Sequence, residues 1–182
     1  MTDARADLAE LLAAHVPADD EEAVDLARMR EWVVSLESPF SREQPEGHFT
    51  GSAIVVDPEG ERTLLVHHRK SGSWFQPGGH FEPGDVSPAA AALREAGEET
   101  GLEVDLAADA LLDVDVHWID WDGHYHLDLR FLVVARGALA PDLAEVHDAE
   151  WLTWDEAFER IDETALRRAL TKARAAVERP AA

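Results

Sequence analysis

Cysteine is absent from this 182-residue chain. That removes disulfides, thiolate metal sites and a cysteine nucleophile together. Positive charge is scarce: Lys and Arg number 16 against 38 Asp and Glu, giving a formal net charge of −22. Lysine occurs only at Lys70 and Lys172. Such a surface repels nucleic acid and anionic lipid, because binding a polyanion needs a basic footprint. No apolar run approaches the ~20 residues needed to cross a bilayer. The N-terminal stretch MTDARADLAELL is acidic where a secretory signal would be basic, so a cytoplasmic protein with no membrane partner is expected. The length suits one domain with an appendage and a real core.

What is present concentrates in residues 78–102, GGHFEPGDVSPAAAALREAGEETGL. Ser87-Pro88 is a helix start, a capping hydroxyl followed by a residue preset for the first turn. Gly101 ends the helix, since glycine takes the left-handed conformation that closes it. Between them Glu95, Glu98 and Glu99 stand at i, i+3 and i+4, on one face. Carboxylates so placed repel, each pair by roughly 1 to 4 kcal/mol at 4 Å depending on the dielectric. A helix shaped for stability alone would alternate signs. Clustered hard oxygens are instead what Mg²⁺ or Mn²⁺ takes. A solvated acidic face is the plainer alternative.

The stretch resembles the signature of the Nudix hydrolases: Gly, five residues, Glu, seven residues, Arg-Glu, an aliphatic, any residue, Glu-Glu, any residue, Gly, aliphatic. Gly79, Arg94, Glu95, Ala96, Glu98, Glu99, Gly101 and Leu102 match it. Asp85 stands where the first Glu belongs, and one extra residue near Val86 separates it from Arg94. The insertion precedes the helix start, so Arg94 and the three glutamates keep their mutual spacing. Only the brace between loop and helix is expected to change.

The resemblance implies an α/β/α sandwich around a mixed β-sheet. It also implies cleavage of a diphosphate linkage in a small nucleoside diphosphate derivative, such as a nucleotide sugar or (d)NTP, by metal-activated water. Glu95, Glu98 and Glu99 would hold Mg²⁺, with Mn²⁺ as substitute, and Glu98 is the first choice of general base. Glu145, Asp148 and Glu150, ahead of a last strand, are alternatives outside the signature. Arg94 would orient the glutamates. The missing cysteine excludes the isopentenyl-diphosphate isomerase branch, and the acidic surface argues against RNA decapping. The ADP-ribose branch carries a proline soon after the signature; here the next is Pro141, too far to match. A non-catalytic nucleotide sensor or scaffold on the same fold is the alternative function.

Candidate phosphate contacts are Arg69, Lys70 and Arg130, with the backbone at Gly78 and Gly79 able to approach closely. His67, His68, His80, His117, His124 and His126 include candidates for hydrogen bonds to phosphate or ribose, His126 among them. None shows the helical His-x-x-x-His spacing of a dedicated zinc site, so zinc is not expected. Trp74, Phe75 and Trp118 are read as packing rather than base-stacking groups.

Residues 1–47 predict an N-terminal helical extension and linker, and 48–182 the Nudix-type domain. Helices are expected over 3–15 and, capped by Asp19 or Asp20, up to Pro39, with Ala23, Leu26, Met29, Val33 and Leu36 on one stripe. That stripe is expected to dock on the domain; a homodimer contact or a lid is the alternative. Residues 48–57 and 63–69 read as a hairpin across Asp57-Pro58-Glu59-Gly60. Residues 104–113 are loosely patterned, and 114–118 alternates as a strand. Asp122-Gly123 turns into a strand over 124–135, whose His124, His126, Asp128 and Arg130 suggest a wet pocket. A short strand to Thr153 and a helix over 163–177 complete the chain.

Overall fold

The structure, a computed structural model, describes residues 4–178. Asp3, where the first expected helix begins, and residues 179–182 lie outside the described residues.

Helices α1 (Ala4–Ala14) and α2 (Asp20–Ser35) open the chain. Asp19 caps α2 by accepting from the Glu22 N–H at 2.8 Å. Seven strands follow in one mixed sheet: β1 (Gly47–Val56), β2 (Arg62–His68), β3 (Trp74–Phe75), β4 (Gly78–His80), β5 (Glu103–Ile119), β6 (His124–Arg136) and β7 (Val146–Thr153). Helix α3 (Pro88–Thr100) connects β4 to β5, while α4 (Trp154–Arg160) and α5 (Thr164–Val177) come last. No helix among the described residues is long and apolar enough to cross a membrane.

The strand order is β3-β2-β1-β6-β5, with β4 added against β1 and β7 against β2. β1 and β6 run parallel from Gly47↔Tyr125 to Val56↔Val134. The expected hairpin of β1 and β2 is therefore brief. The two strands pair only at Val55↔Leu64 and Val56↔Thr63, and β1 otherwise lies between β6 and β4. The loosely patterned residues 104–113 belong to β5, which bulges between Leu106 and Leu111 and again before Asp113. Those bulges are what blur the two-residue period.

Alternation along β1 divides the core. Phe49, Ala53 and Val55 join a cluster with Leu26, Met29 and Val33 of α2 and Ala92 and Ala96 of α3. Ile54 and Val56 face the other way, onto Trp154 and Ala157 of α4 and Leu166, Ala169 and Leu170 of α5. The sheet thus lies between helical layers, an α/β/α sandwich. The α2 stripe is buried on this same chain at Leu26, Met29, Val33 and Leu36, whereas Ala23 is exposed. Each such aliphatic contributes about 1.5–3 kcal/mol when fully buried.

The polar face of β6 is not the wet pocket its sequence suggests. Asp128 and Arg130 are both 2% exposed and sit in a buried ionic network. Arg130 donates to Asp128, Asp113 and Asp115 at 3.0–3.2 Å. Asp113 also accepts from Arg168 and Lys172 of α5, and Lys172 reaches Glu22 of α2 at 2.6 Å. Thr50, Ser52 and Gln76 complete the shell of Asp128.

Candidate active site

Helix α3 begins and ends as its sequence dictates. The Ser87 hydroxyl accepts from the Ala90 N–H at 3.2 Å. Gly101 takes φ 71° and donates to the Gly97 carbonyl at 2.8 Å. The helix lies against β1 and β4, so its carboxylate face meets the glycine loop. Gly78 and Gly79 are needed there for close packing. A Cβ on Gly79 would lie 2.6 Å from the Glu95 carboxylate, and one on Gly78 would collide with Ser52.

Arg94 organises the face. Its Nε and Nη2 reach the two Asp85 oxygens at 3.2 and 3.0 Å, and Nη2 also reaches the His80 carbonyl at 2.8 Å. Nη1 donates to Glu95 at 3.0 Å and to Glu98 at 2.9 Å. Asp85 itself is fixed by accepting from the Glu82 N–H at 2.7 Å. The shorter acid in the place of the signature's first Glu thus still engages Arg94 with both oxygens. The longer loop leaves the Arg94–Glu95–Glu98 spacing unchanged.

The three glutamates differ in environment. Glu98 is the open one, its side chain 55% exposed. Glu95 is buried, and desolvation raises its pKa although Arg94 opposes this. Glu99 is buried more deeply. Desolvation pushes it up to about 8, the hydrogen bond from Gly78 N–H opposes that, and the charges of Glu95, Glu145 and Glu98 push it further. Two buried carboxylates with a third beside them are short of positive charge. A hard divalent cation fits that donor set, all oxygen and clustered on one helix face.

The outlying candidates separate. Glu145 lies close enough for its charge to act on Glu95 and Glu99. Asp148 and Glu150 lie within β7 rather than ahead of it, and Glu150 pairs with Arg160 at 3.3 Å. Arg69 follows β2 and donates to the Leu143 carbonyl at 3.0 Å, in the loop that leads to Glu145. Lys70 is exposed beside it. Arg130 does not take the expected phosphate role: its guanidinium is buried in the carboxylate network described above. Its alternation with Asp128 on a strand was the signal of that pairing. Trp74 packs against Arg160 and stacks on His67, as a packing group would. A recess of about 760 Å³ beside α1 and the start of α3, lined by Leu11, Pro88 and Leu106, contains none of these residues.

Several histidines converge on the other side of β1. By strand alternation His48, Thr50 and Ser52 face away from α3, and His80 is paired with Thr50. His126 is in register with His48 on one side and with His117 on the other. The His48 and His126 rings each lie with centroids 4.8–5.4 Å from those of His80 and His124, and 4.9 Å from one another. His48 had no place among the histidines singled out in the sequence, because its partners lie on a strand almost eighty residues away.

A mixed-sheet sandwich here presents a helix of clustered carboxylates to a glycine loop, an all-oxygen donor set of the kind that hard divalent cations take. The NUDIX domain model matches residues 48–173, and the chain belongs to that family of hydrolases. Among relatives, the NAD-capped RNA hydrolase ndx-9 of Caenorhabditis elegans is 33% identical over 116 residues, 61% of this chain but only 29% of that protein. A NUDIX-family hydrolase from Clostridium perfringens superposes with a TM-score of 0.57 at 25% identity, covering 69% of this chain and 95% of the other. An Ap4A hydrolase from C. elegans gives 0.62 at 18% identity, covering 71% and 96%.

Proposed function

We propose that this hydrolase cleaves the diphosphate linkage of a small nucleoside diphosphate derivative, with Mg²⁺ held by Glu95, Glu98 and Glu99 and Mn²⁺ as a substitute. The observation that carries this reading is the Arg94-braced face: two buried glutamates and one open one, gathered beside the glycine loop. A bound divalent cation would neutralise phosphoryl oxygens and acidify a water there. Glu98, exposed at the rim, is the group placed to accept the proton of the attacking water. Glu145 is the second candidate, since its charge reaches the same carboxylates. Arg94 acts by positioning: it relieves repulsion between Glu95 and Glu98 and ties them to the loop. Arg69 and Lys70 supply positive charge for the substrate's phosphates.

The names of the relatives put NAD-type dinucleotides and Ap4A beside nucleotide sugars and (d)NTPs as test substrates. A net charge of −22 favours the free small molecules over an RNA chain. The test is turnover of this panel with Mg²⁺. One class is expected to be hydrolysed, with Glu98→Gln lowering kcat by about 10²–10⁴, the usual contribution of a general base. If nothing turns over, and Glu98→Gln binds Mn²⁺ as well as the unaltered protein, the reading fails. Thermal stabilisation by a nucleotide without product release would support a non-catalytic sensor instead.

A further inference from the structure

The imidazoles on the far face of β1 form a group that the carboxylate chemistry does not use. Three elements supply it from distant parts of the chain: His48 from β1, His80 from β4, and His124 and His126 from β6. One potential ligand atom each from His48, His124 and His126 lies within 4.8 Å of the others. Tetrahedral zinc with Zn–N of about 2.1 Å needs nitrogens ~3.4 Å apart, so a bound ion would draw these rings closer together. His48 is 0% exposed, and neither of its ring nitrogens has a hydrogen-bond partner. The Nε2 atoms of His124 and His126 are likewise buried and unpartnered. Buried polar atoms are ordinarily satisfied, so orphaned nitrogens gathered in one place ask for an occupant.

We propose that His48, His124 and His126 form a site for a borderline divalent transition metal, Zn²⁺ in class, separate from the glutamate site across the sheet. The donor set selects the ion. Imidazole suits zinc and its neighbours, whereas Mg²⁺ prefers the oxygens of α3. His80 stands beside His48 and His126 and is a candidate for a fourth ligand. Three protein imidazoles otherwise leave a coordination position open to an exogenous ligand.

The absence of a helical His-x-x-x-His spacing does not count against this site, because a sheet builds it by register instead. The parallel pairing of β1 with β6 sets His48 opposite His126, and alternation returns His124 to the same face.

The test is Co²⁺ binding to chelator-treated, full-length protein in excess Mg²⁺, read by visible absorption and by metal content. We expect one Co²⁺ per chain with a low-symmetry nitrogen-ligand spectrum, displaced by Zn²⁺. His126→Ala and His124→Gln should each weaken Co²⁺ binding by about 100-fold or more, beyond the 10–100-fold typical of losing an outer-shell group. Circular dichroism checks that both remain folded; His124, partly exposed, is the substitution the fold tolerates better. Glu98→Gln should leave the spectrum unchanged. No Co²⁺ uptake, uptake that survives both histidine substitutions, or uptake abolished by Glu98→Gln would each overturn the proposal. None of these outcomes bears on diphosphate hydrolysis, which is measured separately.

Discussion

Arg94 directs all five of its N–H donors to Asp85, Glu95, Glu98 and the His80 carbonyl. The planar fork matters because it reaches the loop and the helix face together. A lysine has three donors and no fork, so Arg94→Lys should lower kcat/KM while leaving the far-ultraviolet circular dichroism unchanged. Asp85→Ala removes one anchor of that fork and leaves the others. Its loss of Mg²⁺-dependent kcat is therefore expected to be smaller than that of Glu98→Gln; an equal loss would show that Asp85 takes part in the chemistry directly. Gly79 has no room for a methyl group beside Glu95. Gly79→Ala should displace that carboxylate, so that Mn²⁺ affinity, measured by paramagnetic resonance, falls while the fold persists. The local arrangement of these residues was legible in the sequence, since a short, dense motif fixes its own geometry on one helix and one loop.

At the scale of elements, β5, β6 and α5 are joined by a buried ionic network as well as by apolar packing. Asp113 lies between Arg130 of β6 and both Arg168 and Lys172 of α5, and its side chain is fully buried. A buried pair is weak evidence of net stability, yet removing one partner strands the other without solvent. Arg130→Ala should therefore cost about 3–5 kcal/mol, seen as a lower urea midpoint. The same substitution would have been read from sequence as the loss of a phosphate contact, with a raised KM and unchanged stability. The two outcomes separate the readings. The polar face at His124, His126, Asp128 and Arg130 was visible in the sequence, but polar faces of a strand look alike whether they meet water or each other.

The whole molecule is closed by Glu22. This α2 side chain is 0% exposed and accepts from Lys172, His15 and the Ala18 and Val114 N–H groups. Burial alone would raise its pKa, but the hydrogen bonds from His15, Lys172 and Ala18 hold it well below its ordinary value of 4.5. A folded-state pKa below the unfolded one means that Glu22 adds stability above pH 4.5 and loses it as pH falls below that value. The stability gap between the unaltered protein and Glu22→Gln should thus be full at neutral pH and narrow progressively below 4.5, followed by urea denaturation at each pH. A gap independent of pH would show that Glu22 contributes packing alone.

The sequence by itself determined the local features: the Ser87 and Gly101 ends of the motif helix, the common face of its glutamates, the apolar stripe of α2, and with the motif the family. These depend on neighbours within a turn or two, where helical geometry leaves little choice. Only the tertiary structure decided how Arg130 is used, where the N-terminal helices dock, and which imidazoles share a face. Those outcomes follow from the parallel register of β1 with β6 and from the packing of α2 and α5 on β5. Long-range pairing joins residues whose separation along the chain carries no periodic signal, so a charge or a histidine acquires its role only when the sheet has formed.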